Sequence, residues 1–249
     1  MLNQFSSSTI QLDKERPDSS GDAKCKVFKG KSSAMFYTGF RPVFTGYNGQ
    51  NGLIRRISVY QCNPANAELL KSFIGGTYNC YEEDFKPTSF CKSLLFVWAP
   101  GSTGELLEKG TGIKSLNNDM RRHHLLLQVI YNPGTGFLTD ESGIRLYHTR
   151  NVLRQAGKMV VGHRSSNKLV ILPNVSNWRT LGLCPSACMK EGKINVSSVT
   201  LHAGMTAVNV KLSVVNDGII KPIISGYRSD YQPVRQLQPT VEVDRSRMH

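Results

Sequence analysis

Seven β-type runs recur along this chain with turn residues between them, and that pattern leaves little room for anything but packed antiparallel sheets. The runs are LIRRISVYQC (53–62), LLFVWA (94–99), HLLLQVIY (124–131), GIRLYHT (143–149), KLVILP (168–173), INVSSVTLHA (194–203) and AVNVKLSVV (207–215). Each alternates in polarity or is rich in β-branched residues, as strands with one or both faces buried require. Gly, Pro, Asn and Asp fill the gaps, as in YNPGTG (131–136) and VNDG (215–218), where their backbone preferences suit turns. Many short strands at this spacing point to sandwiches or jelly rolls. Helical periodicity is weak, and NAELLKSF (66–73) is the one tempting stretch. No internal repeat is visible. The expected fold class is all-β.

At 249 residues the chain is long enough for one large domain or two of ordinary size, each with a real core. The formal charge is +13, from 31 Lys and Arg against 18 Asp and Glu, yet no basic run exceeds two residues. A basic protein can bind nucleic acid, heparin-like polyanions or anionic membrane. Without a clustered stripe or a nucleic-acid motif the plain reading is a solvated basic surface. The longest apolar run, LLFVWA, is far too short to span a bilayer.

The first twenty residues are polar and lack the apolar stretch of a secretory signal. Residues 1–21 are expected to be disordered. The cysteines argue for a different compartment from the one this start implies. Six of them, four within the first 91 residues, suit an oxidising environment. Asn174-Val175-Ser176 and Asn195-Val196-Ser197 are glycosylation sequons. The expectation is therefore a secreted protein, or one of the secretory-pathway lumen, whose true start is missing here.

The middle of the chain carries a more specific signal. LLLQVIYNPGTGFLTDESGIRLYHT (125–149) closely resembles a signature stretch of the copper type II, ascorbate-dependent monooxygenases. Other segments agree in order and spacing: CKVFKG (25–30), VYQC (59–62), FCKSLLFVWAPG (90–101), QAGKMVVG (155–162), VTLHAGMTA (199–207) and VVNDGIIKPI (214–223). The resemblance implies two jelly-roll-like β-sandwich domains in tandem, about 22–150 and 151–249, the second incomplete and C-terminally truncated. It also implies one copper per domain, reduced by ascorbate, with hydroxylation of a C–H bond by oxygen at the second copper.

The same resemblance fixes where the ligands should be. The adjacent histidines of the first copper fall on Arg55 and Arg56, and its third ligand falls on Ile130. Arginine stays protonated and isoleucine has no donor atom. In the second site the first histidine is kept as His202 and the next falls on Gly204. The family's methionine ligand has no counterpart before His249. One ligand of six survives, so stoichiometric copper is not expected. Since alternate residues of a strand face opposite ways, at least one of the two arginines is expected to turn outward.

Two decoys weigh little. His123 and His124 resemble a paired-histidine motif, but six residues of strand put His124 about 20 Å from Ile130. Structural or surface histidines are the simpler reading. Met205, three residues past His202, would face the other side of a strand, and a core methionine is expected.

By the family pattern Cys25 pairs with Cys80 and Cys62 with Cys91; spacing alone could not choose among connectivities. For Cys184 and Cys188 the options of mutual, intermolecular or no pairing stay open. A zinc reading is poor because no second ligand pair follows. An incomplete second sandwich would leave an open edge, so poor solubility of the isolated chain is expected.

Two functional readings follow. One is a non-enzymatic secreted scaffold that binds a small molecule or protein in the old interdomain cleft. Arg55 and Arg56 could then hold a carboxylate or sulfate, the plainer alternative being surface arginines. The other is an active copper-dependent monooxygenase with an atypical or partner-completed metal site. Substrate, ligand and oligomeric state are not legible.

Overall fold

The computed structural model describes residues 6–14, 22–31, 35–45, 53–116, 123–134, 139–162, 171–185, 187, 192–203, 207–227 and 232–244. The chain divides into two compact units, Met1–Lys158 and Met159–His249.

The first unit carries strands β1 (Ser6–Gln11), β2 (Ala23–Lys29), β3 (Phe36–Val43), β4 (Ile54–Gln61), β5 (Thr77–Asn79), β6 (Ser93–Trp98), β7 (Glu105–Leu106), β8 (Thr111–Lys114), β9 (His124–Tyr131), β10 (Gly143–Thr149) and β11 (Arg154–Ala156). They form two sheets. One runs β1-β10-β3-β8-β11, with β7 also pairing β3; the other runs β5-β2-β9-β4-β6. Pairing is antiparallel except between β8 and β11. Two short helices, α1 (Ala67–Leu70) and α2 (Pro87–Phe90), sit in the connections.

The period-two pattern of β9 explains the layers. Leu125, Leu127, Val129 and Tyr131 join Ile57, Val59, Phe96, Phe40, Ile144 and Leu146 in the main core. The intervening Leu126 and Ile130 point to the other face, into a second cluster with Ala23, Cys25, Val27, Cys62, Leu70 and Phe85. β9 is therefore buried on both sides, which is why it reads as a near-continuous apolar run. Each fully buried aliphatic side chain contributes roughly 1.5–3 kcal/mol.

Disulfides join Cys25 to Cys80 and Cys62 to Cys91. They tie the connections that carry α1 and α2 to the outward face of the β2-β9-β4 sheet.

Within the segment 1–21 expected to be disordered, Ser6–Gln11 instead forms β1. Ser6–Gln11 pairs along its length with β10. Ile10 and Leu12 are buried, and the serines lie on an edge strand, where polar residues are tolerated.

The second unit holds β12 (Lys193–Val199), β13 (Asn209–Asn216), β14 (Ile219–Tyr227) and β15 (Arg235–Asp244). They pair as two antiparallel ribbons, β12 with β15 and β13 with β14. Val214 and Val243 are buried, with Ile194, Val196, Ile223 and Val241 packed around them. The strand expected over KLVILP (168–173) is corrected in its described part: 171–173 is irregular and exposed, entering a turn at Pro173. Proline removes a ladder donor there. Likewise 200–203 is irregular rather than a continuation of β12.

Candidate functional site

β4 and β9 bring together two of the three positions that the sequence resemblance assigns to the first copper. Arg56 lies directly opposite Ile130, and Ile130 directly opposite Ala23. The three form one row across β4, β9 and β2 on the outward face, the face of the disulfides.

A β-bulge falls between Ile54 and Arg56. Ile54 and Ile57 both belong to the main core, so the two arginines between them both avoid the inward face. Strict alternation, which would separate them, does not hold at a bulge. Arg55 is exposed and Arg56 half-buried. The Arg56 Nε is shielded from solvent and has no acceptor among the described residues. A buried donor without a partner is unfavourable, so this guanidinium is a donor in want of an oxygen.

These residues do not fit copper. Two guanidinium groups and an aliphatic side chain supply no lone pair for a transition metal. A guanidinium ~4 Å from an ion repels it by roughly 4 kcal/mol per unit charge at an effective dielectric of 20. Of the positions the resemblance assigns to the second copper, His202 is exposed in irregular backbone after β12. Gly204 and the decoy Met205 lie outside the described residues. Among the described residues no group of three or more His, Cys, Asp or Glu side chains is placed to hold a metal.

His123 and His124 are both buried. His123 Nε2 lies 3.2 Å from the Tyr37 hydroxyl. Burial, with repulsion from His124, pushes His123 down to about 4. His148 meets the edge of the Tyr37 ring and is 1% exposed, with neither ring nitrogen hydrogen-bonded among the described residues. Burial first and Lys31 second lower its pKa. Burial raises the Tyr37 phenol. Sequence reasoning passed over Tyr37 and His148. The signal for His148 lay in GIRLYHT, where Ile144, Leu146 and His148 fall on one side of β10.

Of the remaining candidates, Asn174 and Asn195 are exposed, Asn174 in a turn at φ 61° and Asn195 on β12. Cys184 is half-buried; Cys188 lies outside the described residues.

A disulfide-stapled sandwich of two largely antiparallel sheets, in which two of the positions that the sequence resemblance assigns to a first copper are cross-strand partners, fits a narrow class of protein. The family profile described as copper type II ascorbate-dependent monooxygenase, N-terminal domain, matches residues 10–137. This chain belongs to that family, whose chemistry is copper- and ascorbate-dependent.

Similar proteins include DBH-like monooxygenase protein 1 of Mus musculus, 28% identical over 195 residues, covering 74% of this chain and 31% of that protein. MOXD1 homolog 1 of Drosophila melanogaster is 26% identical over 217 residues, covering 80% and 31%. Dopamine beta-hydroxylase of Bos taurus is 28% identical over 217 residues, covering 82% and 34%. The chain spans about a third of the length of these relatives. No helix among the described residues is long and apolar enough to cross a membrane.

Proposed function

We propose that this chain is a family member that has given up hydroxylation and acts as a secreted scaffold or binding protein. The observation that supports this reading is the cross-strand pair Arg56–Ile130. The backbone places these side chains together, yet neither can ligate a metal, and Arg56 repels one. In place of a copper ion the row offers the unmet Arg56 Nε, suited to a carboxylate or sulfate oxygen. The two disulfides support folding in the secretory-pathway lumen.

The test is metal content. The chain, made in a secretory host and incubated with copper, is expected to retain well under one equivalent after desalting. It should show no nitrogen hyperfine coupling and no ascorbate-dependent oxygen uptake. One tightly held copper with histidine coupling, together with oxygen uptake, would overturn the proposal.

A further inference from the structure

The outward face of the β1-β10-β3 sheet places two arginines side by side that the sequence keeps 104 positions apart. Arg145 of β10 is directly opposite Arg41 of β3, and on its other side directly opposite Thr9 of β1. Arg41, Arg145 and Thr9 are all exposed. Directly opposed residues hold their Cβ atoms about 5 Å apart, and like charges in that position destabilise a sheet. Neither guanidinium has an acidic partner among the described residues. The acid on the adjoining strand β7, Glu105, is buried and held by Lys158. The next row on the same face is Ser7, Tyr147 and Gly39, with Tyr147 half-exposed, about 7 Å along the strands.

We infer that this face binds a sulfated oligosaccharide, one sulfate being held between Arg41 and Arg145. A sulfate between the two removes their mutual repulsion and gives each fork two acceptor oxygens. The Ser7 and Thr9 hydroxyls suit sugar hydroxyls, and the Tyr147 ring offers a surface for the C–H face of a sugar. The chain's charge of +13 draws in polyanions generally. Beside the arginine pair the described part of this face offers Tyr147 as its aromatic, where single-strand binders stack successive bases on several. This inference does not depend on whether copper is bound.

The test is titration of the disulfide-intact chain with a heparin hexasaccharide at about 150 mM salt, where diffuse attraction is screened beyond about 8 Å. Replacing both residues, Arg41→Gln with Arg145→Gln, is expected to weaken binding about tenfold or more. Lys92→Gln with Lys109→Gln changes net charge equally on exposed sites and should shift affinity less than about twofold, since distant exposed charges are screened. Should the first pair fail to fold, Arg41→Lys with Arg145→Lys decides, because it keeps the charge and is still expected to lose several-fold through the missing forks. Equal losses in the Gln pairs, unchanged affinity in the Lys pair, no binding by the native chain, or equally tight arginine-dependent binding of a single-stranded oligonucleotide would each overturn the inference.

Discussion

Tyr37 and His123, 86 residues apart in sequence, touch through a 3.2 Å contact between the phenol oxygen and Nε2 in the interior of the first unit. The imidazole is neutral there because burial holds it down to about 4 from an ordinary 6.5. On unfolding it returns to the ordinary value. The unfolded chain therefore binds more protons between about pH 6.5 and 4, and stability must fall as pH falls through that window. The loss levels off below the folded value, at an upper bound of about 3 kcal/mol. His123→Gln keeps a partner for Tyr37 but cannot titrate. Urea midpoints measured from pH 7 to 4 are expected to slope less for this variant than for the native chain; parallel slopes would refute the assignment.

Gly30 packs against the same imidazole. A Cβ built on Gly30 would lie 2.2 Å from His123 Nδ1, and the Gly30 amide donates to the His123 carbonyl at 2.8 Å. Gly30→Ala must displace a buried ring, which typically costs about 1–3 kcal/mol. A lowered melting temperature is expected, and a second change, His123→Ala, should recover part of it.

Asp140 is fully buried and accepts from the Tyr131 hydroxyl at 2.7 Å and the Ser142 hydroxyl at 2.6 Å. Asp140→Ala leaves both hydroxyls without their acceptor, at roughly 1–3 kcal/mol each. Denaturant unfolding should show the loss, with Tyr131→Phe and Asp140→Ala less than additive because they share a network.

Because Arg56 and Ile130 are cross-strand partners, imidazoles placed there would converge. The triple variant Arg55→His, Arg56→His, Ile130→His is expected to bind copper(II) with nitrogen hyperfine structure in its EPR spectrum. Arg55→His alone should not. Failure of a folded triple variant to bind would show that the backbone no longer holds the site's shape.

Reduction should loosen the outward face of the β2-β9-β4 sheet. Breaking Cys25–Cys80 and Cys62–Cys91, which close loops with separations of 55 and 29 residues, typically costs about 2–5 kcal/mol per bridge. A melt in the presence of a thiol reductant is expected to show a large fall in midpoint.

The strands that were legible in the sequence were those whose side chains meet a single, continuous environment. HLLLQVIY and GIRLYHT match β9 and β10 end to end, because burial on one or both faces of these strands imposes a local pattern. SSSTIQ was not legible, since an edge strand needs only Ile10 and the adjoining Leu12 to face the core. The bulge at Arg55 has no local signature either. Two adjacent arginines read the same whether a strand is straight or kinked, and only the inward placement of both Ile54 and Ile57 reveals the extra residue. Arg41 beside Arg145, like Tyr37 beside His123, depends on strand order, which short-range pattern does not encode. KLVILP shows the converse: an apolar run with β-branched residues whose described part forms no ladder, ending at a proline.

The surplus residue in β4 has a consequence for how this sequence can change in length. Ile54 and Ile57 are three positions apart yet face the same way, so deleting Arg55 would leave them two apart and still in step. A deletion elsewhere between Ile57 and Gln61 would turn part of the strand inside out. The kink is thus the seam of the strand, the place where a codon can be lost or gained while the hydrophobic layers stay in phase.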